Sequence, residues 1–253
     1  MARAAVLGRL TWQVGTVVSA RKESLSARTV VLEVPEWPGH LPGQHVDLRL
    51  TAPDGYSTQR SYSIASAWGP ADGRAVIELT VEEIEDGEVS PYLVEVLKVG
   101  DPLELRGPVG GWFVWHADDS APTLLAAGGS GLVPLMAMLR ARRRAGSQVP
   151  FRLVYSLRGP TSALYAEELA ALTSADNGLE VEHVFTREAP PGWSGEVGRV
   201  RPAQLLSPVG AERIGAAFVC GPTGFVEAVA MTLVNGGLDP AMIKTERFGP
   251  TGG

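Results

Sequence analysis

The apolar pattern of this chain changes once, near Pro122, and that change constrains the fold more than any other feature. Before it, from Trp12 to about Arg106, polar and apolar residues alternate in short runs split by Gly and Pro: Gln13 to Ala20, Arg28 to Val34, His45 to Thr51, Arg60 to Ala65, Val76 to Glu82 and Pro102 to Leu105. In the third run Val46, Leu48 and Leu50 face one way and Asp47, Arg49 and Thr51 the other, the period of a half-buried strand. Short strands punctuated in this way predict a small antiparallel barrel. After Pro122 the unbroken apolar run Thr123 to Ala127 meets a glycine cluster and a helical stretch, Val133 to Arg144. A strand (Phe151 to Ser156), a helix (Ala163 to Leu172), two strands (Leu179 to Phe185 and Ala216 to Cys220) and a helix (Gly224 to Asn235) follow. That order predicts a parallel sheet with crossover helices. The expected architecture is therefore two domains, an N-terminal antiparallel β-barrel over 1–116 and a C-terminal α/β parallel sheet over 117–253, divided within the polar stretch His116 to Ala121.

Composition narrows the function. With 253 residues there is length for two cores, and 22 basic against 28 acidic residues give a net charge of -6. The cations are scattered rather than gathered into a stripe, so nucleic acid is not expected as a main partner. No apolar run approaches the ~20 residues of a membrane span, and the opening Met1 to Gly8 is too short for a signal-peptide core. A cytoplasmic protein is the expectation. The single cysteine, Cys220, rules out an internal disulfide, a four-cysteine zinc site or an iron-sulfur cluster within these residues. His40, His45, His116 and His183 lack the close pairing of a metal site, so no metal is expected and redox chemistry here needs an organic cofactor.

Four segments could carry such chemistry. Arg60-Ser61-Tyr62-Ser63 sits on a predicted strand, which sends Arg60 and Tyr62 to one face, a cation to neutralise a phosphate beside a ring to lie along a planar ligand. The plainer reading is a surface cation-π pair. In Gly87-Glu88-Val89-Ser90-Pro91, Ser90 before Pro91 has the form of a helix N-cap, whose free N-H groups suit a diphosphate, although most capped helix starts bind nothing. Gly128-Gly129-Ser130-Gly131 follows the first buried strand of the second half and opens its first helix, where an open sheet cradles a pyrophosphate; Pro134 stands where a strict fingerprint has its last glycine. Cys220-Gly221-Pro222 ends a later strand on the same ligand edge, with a small apolar filler as the plainer role for Cys220. The run Arg140 to Arg144 holds four cations, read either as helix-end solvation or as a docking patch for an acidic redox partner.

Taken in this order, the segments resemble the ferredoxin-NADP+ reductase superfamily, which joins a flavin-binding antiparallel barrel to a nicotinamide-binding α/β domain. The resemblance implies that Arg60 holds a flavin phosphate, Tyr62 packs on the isoalloxazine and Ser63 lies near flavin N5. It implies that Gly87, Val89 and Ser90 present backbone to the FAD pyrophosphate, and Gly129, Ser130 and Gly131 to that of the nicotinamide nucleotide. Arg158 and the pair Thr186-Arg187 would meet the adenosine end, Thr186-Arg187 resembling the Ser-Arg pair that grips the 2'-phosphate of NADPH. Cys220, Gly221 and Pro222 would line the nicotinamide pocket. Glu246 would stand near the reacting atoms and Phe248 would be the aromatic lid, a Phe where many relatives have Tyr, with five residues following it.

The activity implied is that of an FAD-dependent oxidoreductase taking hydride from NADPH, or NADH, and giving single electrons to a separate ferredoxin, flavodoxin, haem or molybdenum protein. Ser63, Cys220 and Glu246 would be its catalytic groups. Two other classes stay open: an enzyme that uses flavin as a dissociable substrate, and a non-catalytic flavin-binding regulatory subunit.

Overall fold

The computed structural model describes residues 10–69, 75–176, 178–209 and 213–248. Strands β1 (Gln13–Lys22), β2 (Ala27–Glu33), β3 (His45–Thr51), β4 (Ser57–Ser63), β5 (Val76–Glu82) and β6 (Pro102–Val109) form one antiparallel sheet in the order β4-β3-β6-β1-β2-β5. The ends of this order meet, because Ile64, just past β4, bridges to Leu79 in β5 and the Ala65 N-H donates to the Glu78 carbonyl at 2.8 Å. The sheet thus closes on itself over a core that includes Val46, Leu48, Ile77, Leu79 and Leu105. Val46 and Leu48 are buried as the alternation of β3 requires, while Leu50 is only partly covered.

The second half runs β7 (Thr123–Gly128), α1 (Leu132–Arg144), β8 (Phe151–Leu157), α2 (Ala166–Ala175), β9 (Leu179–Phe185), α3 (Pro202–Leu206), β10 (Ala216–Pro222), α4 (Thr223–Asn235) and β11 (Ile243–Phe248). Its five strands are parallel in the order β11-β10-β7-β8-β9. The chain builds outward from β7 through β8 to β9, then returns to the other side of β7 as β10. That reversal leaves a crevice at the carboxyl ends of β7 and β10, where open α/β sheets bind ligands. No helix among the described residues is long and apolar enough to cross a membrane.

Three expectations change. The C-terminal segment, for which no strand was read, is one: Ile243–Phe248 pairs along β10 as an edge strand. Helix α2 starts at Ala166 rather than Ala163, because Tyr165 adopts a left-handed φ of 51° and Leu164 instead donates its N-H to the Tyr155 hydroxyl. Ser90 does not cap a helix; its buried hydroxyl accepts the Ile84 N-H at 3.0 Å, and a short π turn, Tyr92–Val96, follows.

Helix α1 is buried all round from Leu132 to Leu139, since it lies between the parallel sheet and the barrel residues Ala27 and Ala65. Of the four arginines at its end, Arg140 and Arg142 are engaged within the protein, while Arg143 and Arg144 are exposed. Arg140 donates to the Ala65 carbonyl at 2.9 Å, pairs with Glu78 of β5 at 3.0 Å and with Glu168 of α2 at 2.6 Å, and so ties both halves together. Arg142 is buried against Asp176 and the Val149 carbonyl. The Tyr165 hydroxyl reaches Thr80 of β5 at 2.5 Å and the Tyr165 N-H reaches Glu23 at 3.2 Å, adding to the same junction.

Candidate functional site

The barrel presents β4 at one end of its strand order, paired along its length with β3. Alternation sends Arg60 and Tyr62 to one face and Ser61 and Ser63 to the other. Tyr62 packs on the barrel core, and burial pushes its phenol up to about 12, so it is neutral and a donor at physiological pH. Arg60 stays exposed beside its own strand, donating to Thr58 Oγ1 at 3.2 Å and the Gln59 carbonyl at 2.7 Å. Glu88 stands 3.6 Å from Arg60 and also accepts from Tyr56 and Thr58, which stitches the 84–90 turn to β4. In that turn Val89 and Ser90 are buried, and a side chain at Gly87 would meet the Ile84 carbonyl and Ser90 Oγ, each at 2.9 Å. Gly87 therefore lets this turn fold closely on itself.

The other wall of the site is the carboxyl edge of the parallel sheet. Gly129 takes a φ of 56° in a 3-10 turn, Gly129–Gly131, that leads into α1. A Cβ on Gly131 would lie 2.1 Å from the Cys220 carbonyl oxygen, so the turn after β7 approaches the backbone of β10 this closely only with glycine there. Ser130 is half-buried in that turn and Pro222 is exposed at the end of β10. Glu82, at the end of barrel strand β5, comes beside the same turn. Further along the edge the Arg158 carbonyl accepts both the Arg187 and Glu188 N-H groups, at 3.0 and 3.1 Å, and Thr186 Oγ1 donates to Leu157. Arg158 and Arg187 are thereby neighbours, both exposed, and neither makes an ion pair among the described residues.

The two walls meet through residues on four strands. Ser63 pairs with His45 in register, His45 Nδ1 stands 3.7 Å from Glu246 Oε1, and Glu246 pairs with Cys220. The three groups read from sequence as catalytic are thus linked through His45, which the sequence reading missed. Its only sequence signal is its place with Asp47 on the polar face of β3. Burial, and then the Glu246 charge, push the Cys220 thiol well up, which makes it a neutral wall. Burial raises the Glu246 carboxyl to about 7, and its Oε2 is buried with no hydrogen-bond partner. Phe248, opposite Pro222 in the register, is 37% exposed at the mouth of this edge. Gly249 and the residues after it lie outside the described residues.

An exposed arginine, a half-buried tyrosine, an orphaned buried carboxylate oxygen and a glycine turn at a helix start fit a large, phosphate-bearing, partly planar cofactor, with a second nucleotide along the sheet edge. The comparisons agree. Residues 15–114 match the oxidoreductase FAD-binding domain and residues 125–231 the oxidoreductase NAD-binding domain. The chain is 35% identical over 216 residues to the glycine betaine monooxygenase reductase subunit of Chromohalobacter salexigens, covering 83% of this chain and 56% of that one. It is 37% identical over 159 residues to ferredoxin--NADP reductase B of Sorangium cellulosum, covering 63% of this chain and 62% of the relative. It therefore spans little more than half the length of such relatives. The FAD/NAD-binding domain of nitric oxide dioxygenase from Vibrio cholerae superposes with a TM-score of 0.83 at 25% identity, over 94% of this chain and 99% of that one. The chain belongs to the ferredoxin-NADP+ reductase superfamily, with that superfamily's FAD-binding and NAD-binding domains in its order.

Proposed function

We propose that this chain takes reducing equivalents from NADPH, with NADH as the alternative donor, and passes them through FAD as single electrons to a separate redox protein. One observation supports the reading: the polar face of β3, where His45 pairs in register with Ser63 of β4, meets Glu246 of β11, itself in register with Cys220 of β10, so a group expected beside the flavin and groups expected beside the nicotinamide converge. The Chromohalobacter relative is by name the reductase subunit of a monooxygenase, which supports an oxygenase component or a ferredoxin, flavodoxin, haem or molybdenum protein as acceptor. One cysteine cannot hold an iron-sulfur cluster, so electrons leave these residues for a cluster or haem carried elsewhere. Consumption of NADPH supports a cytoplasmic site of action.

Bound FAD supplies the conversion from two-electron to one-electron chemistry. The protein supplies alignment and electrostatics. Arg60 exchanges Glu88, an exposed partner of small worth, for a flavin phosphate. Tyr62 keeps its proton and offers a ring face. The N-H groups of Gly129 to Gly131, at the start of α1, meet a nucleotide pyrophosphate. Cys220 forms a small uncharged wall for the nicotinamide with Gly221 and Pro222, while Ser63 and Glu246 flank the gap between the rings. Phe248 covers the mouth, and Arg158, Thr186 and Arg187 receive the adenosine end. The domain division at 116–117 is proposed with these roles.

The test is an anaerobic visible spectrum with stepwise NADPH and, separately, NADH. Bleaching of a bound-flavin band, faster with NADPH, is the expected result. A protein purified without flavin would point to flavin as substrate, and a bound flavin bleached by neither nucleotide would point to a regulatory subunit.

A further inference from the structure

His45 belongs to none of the motifs above, yet it joins the two halves at the site. Its side chain and that of Glu246 are 23% and 25% exposed. Glu246 Oε2 lies on the closed side with no partner, a state that a proton relieves. The charged and titratable groups around the pair come from every strand that meets it. Asp47 on β3 favours protonated His45 but is itself held by Ser61 Oγ at 2.6 Å and by Arg106 Nε of β6 at 2.9 Å. Cys220 on β10 is a buried thiol. Lys244 on β11 is drawn away, donating to the Val114 carbonyl at 2.7 Å and lying over the Phe218 ring. Among the described residues His45 is thus the one cation-forming group within ion-pair reach of Glu246.

Burial acts on the two partners in opposite senses, raising the carboxyl to about 7 and lowering the imidazole from 6.5. The usual gap between a carboxylic acid and an imidazolium narrows, and the two groups stand 3.7 Å apart. Oxidation of one NAD(P)H by two one-electron acceptors gives NAD(P)+, two reduced acceptors and one proton. In a cleft walled by Cys220 and the barrel that proton needs a way out.

We propose that His45 and Glu246 share one proton across the domain junction and form its exit: Glu246 Oε2 receives it on the buried side, and His45, reached through Oε1 and Nδ1, releases it to water. The exit role rests on the electron-transfer reading above, whereas the pairing does not.

The pairing is tested by NMR titration of the His45 ring and the Glu246 carboxyl in the flavin-loaded protein, without nucleotide, in the unsubstituted, His45→Gln and Glu246→Gln forms. Linkage requires the shifts to be reciprocal: removing Glu246 lowers the His45 midpoint, and removing His45 raises that of Glu246, by equal amounts of about one pH unit. Midpoints that ignore each other overturn the pairing. The unsubstituted protein decides the same question alone, since a coupled His45 titrates in two steps and an isolated one in a single step. The exit role is tested by following proton release with a pH indicator while NADPH reduces ferricyanide. Release in His45→Ala should lag acceptor reduction about tenfold and recover with added imidazole. Proton release in step with acceptor reduction, without imidazole, overturns the exit. Absence of flavin bleaching in the unsubstituted protein overturns the electron-transfer reading and the exit with it, while the titration still decides the pairing.

Discussion

Cys220 and Glu246 pair across β10 and β11, and burial first, then the Glu246 charge, makes the Cys220 thiol harder to ionise. For Glu246 the cause is burial, and it fixes a sign. Between its ordinary value of 4.5 and the folded value of about 7, the folded chain holds a proton that the unfolded chain has lost. Stability from this group is therefore fully present below the lower value and is lost as pH rises through the upper one. At ~1.4 kcal/mol per unit the ceiling is ~3 kcal/mol. His40, His45 and His183, all lowered by burial, act oppositely and favour the fold as pH rises toward 6.5. Glu246→Gln should gain on the unsubstituted protein by about 2 kcal/mol between pH 5 and pH 8 in urea unfolding; a constant difference would refute the assignment. At this scale the strand placement of Arg60 and Tyr62 and the turn placement of Gly129 to Gly131 were legible because each sits inside a local pattern. His45 was not, because its partner lies far away in sequence and nothing local marks a histidine on a polar strand face.

At the scale of elements, β7, the glycine turn and α1 follow one another without a break and are largely buried together. Gly131→Ala forces a methyl into the Cys220 carbonyl. The expected cost is about 1–3 kcal/mol, as for other overpacked positions, with weaker nicotinamide-nucleotide binding and unchanged flavin content. Calorimetry with NADP+ beside the flavin absorbance separates these effects, and unaltered nucleotide affinity would count against the turn as a nucleotide seat. The strands of the barrel and the β/α succession were readable because alternation and unbroken apolar runs are local signals. Strand β11 was not, since only Ile243 of its six residues is buried and its pairing depends on β10 already being in place. The true start of α2 depends on the backbone twist at Tyr165, and Ser90 carries a cap sequence whose hydroxyl is claimed by Ile84.

At the scale of the molecule, Arg140 is a tie between the halves that engages three groups at once. Its side chain is 15% exposed and shared among Ala65, Glu78 and Glu168. Arg140→Met should lower stability by about 2 kcal/mol, less than a fully buried pair would, because both carboxylates keep some exposure to water. Arg140→Lys should recover little of this, since an ammonium cannot span three acceptors in a planar fork. Unfolding curves that remain single and unshifted in Arg140→Met would show that the junction is held by apolar packing alone.

The position of Arg140 also bears on how the two halves can be exchanged among relatives. Helix α1 carries the glycine turn at its start and Arg140 near its end, and its grip on the barrel depends on Glu78 and the backbone of Ala65. A chimera that imports a foreign nucleotide-binding half keeps its alignment only if the recipient barrel offers an acid and a carbonyl at those places. Compatibility between halves is thus written in a handful of junction residues, and evolution of a new donor or acceptor preference at either end is free to proceed as long as that handful travels together.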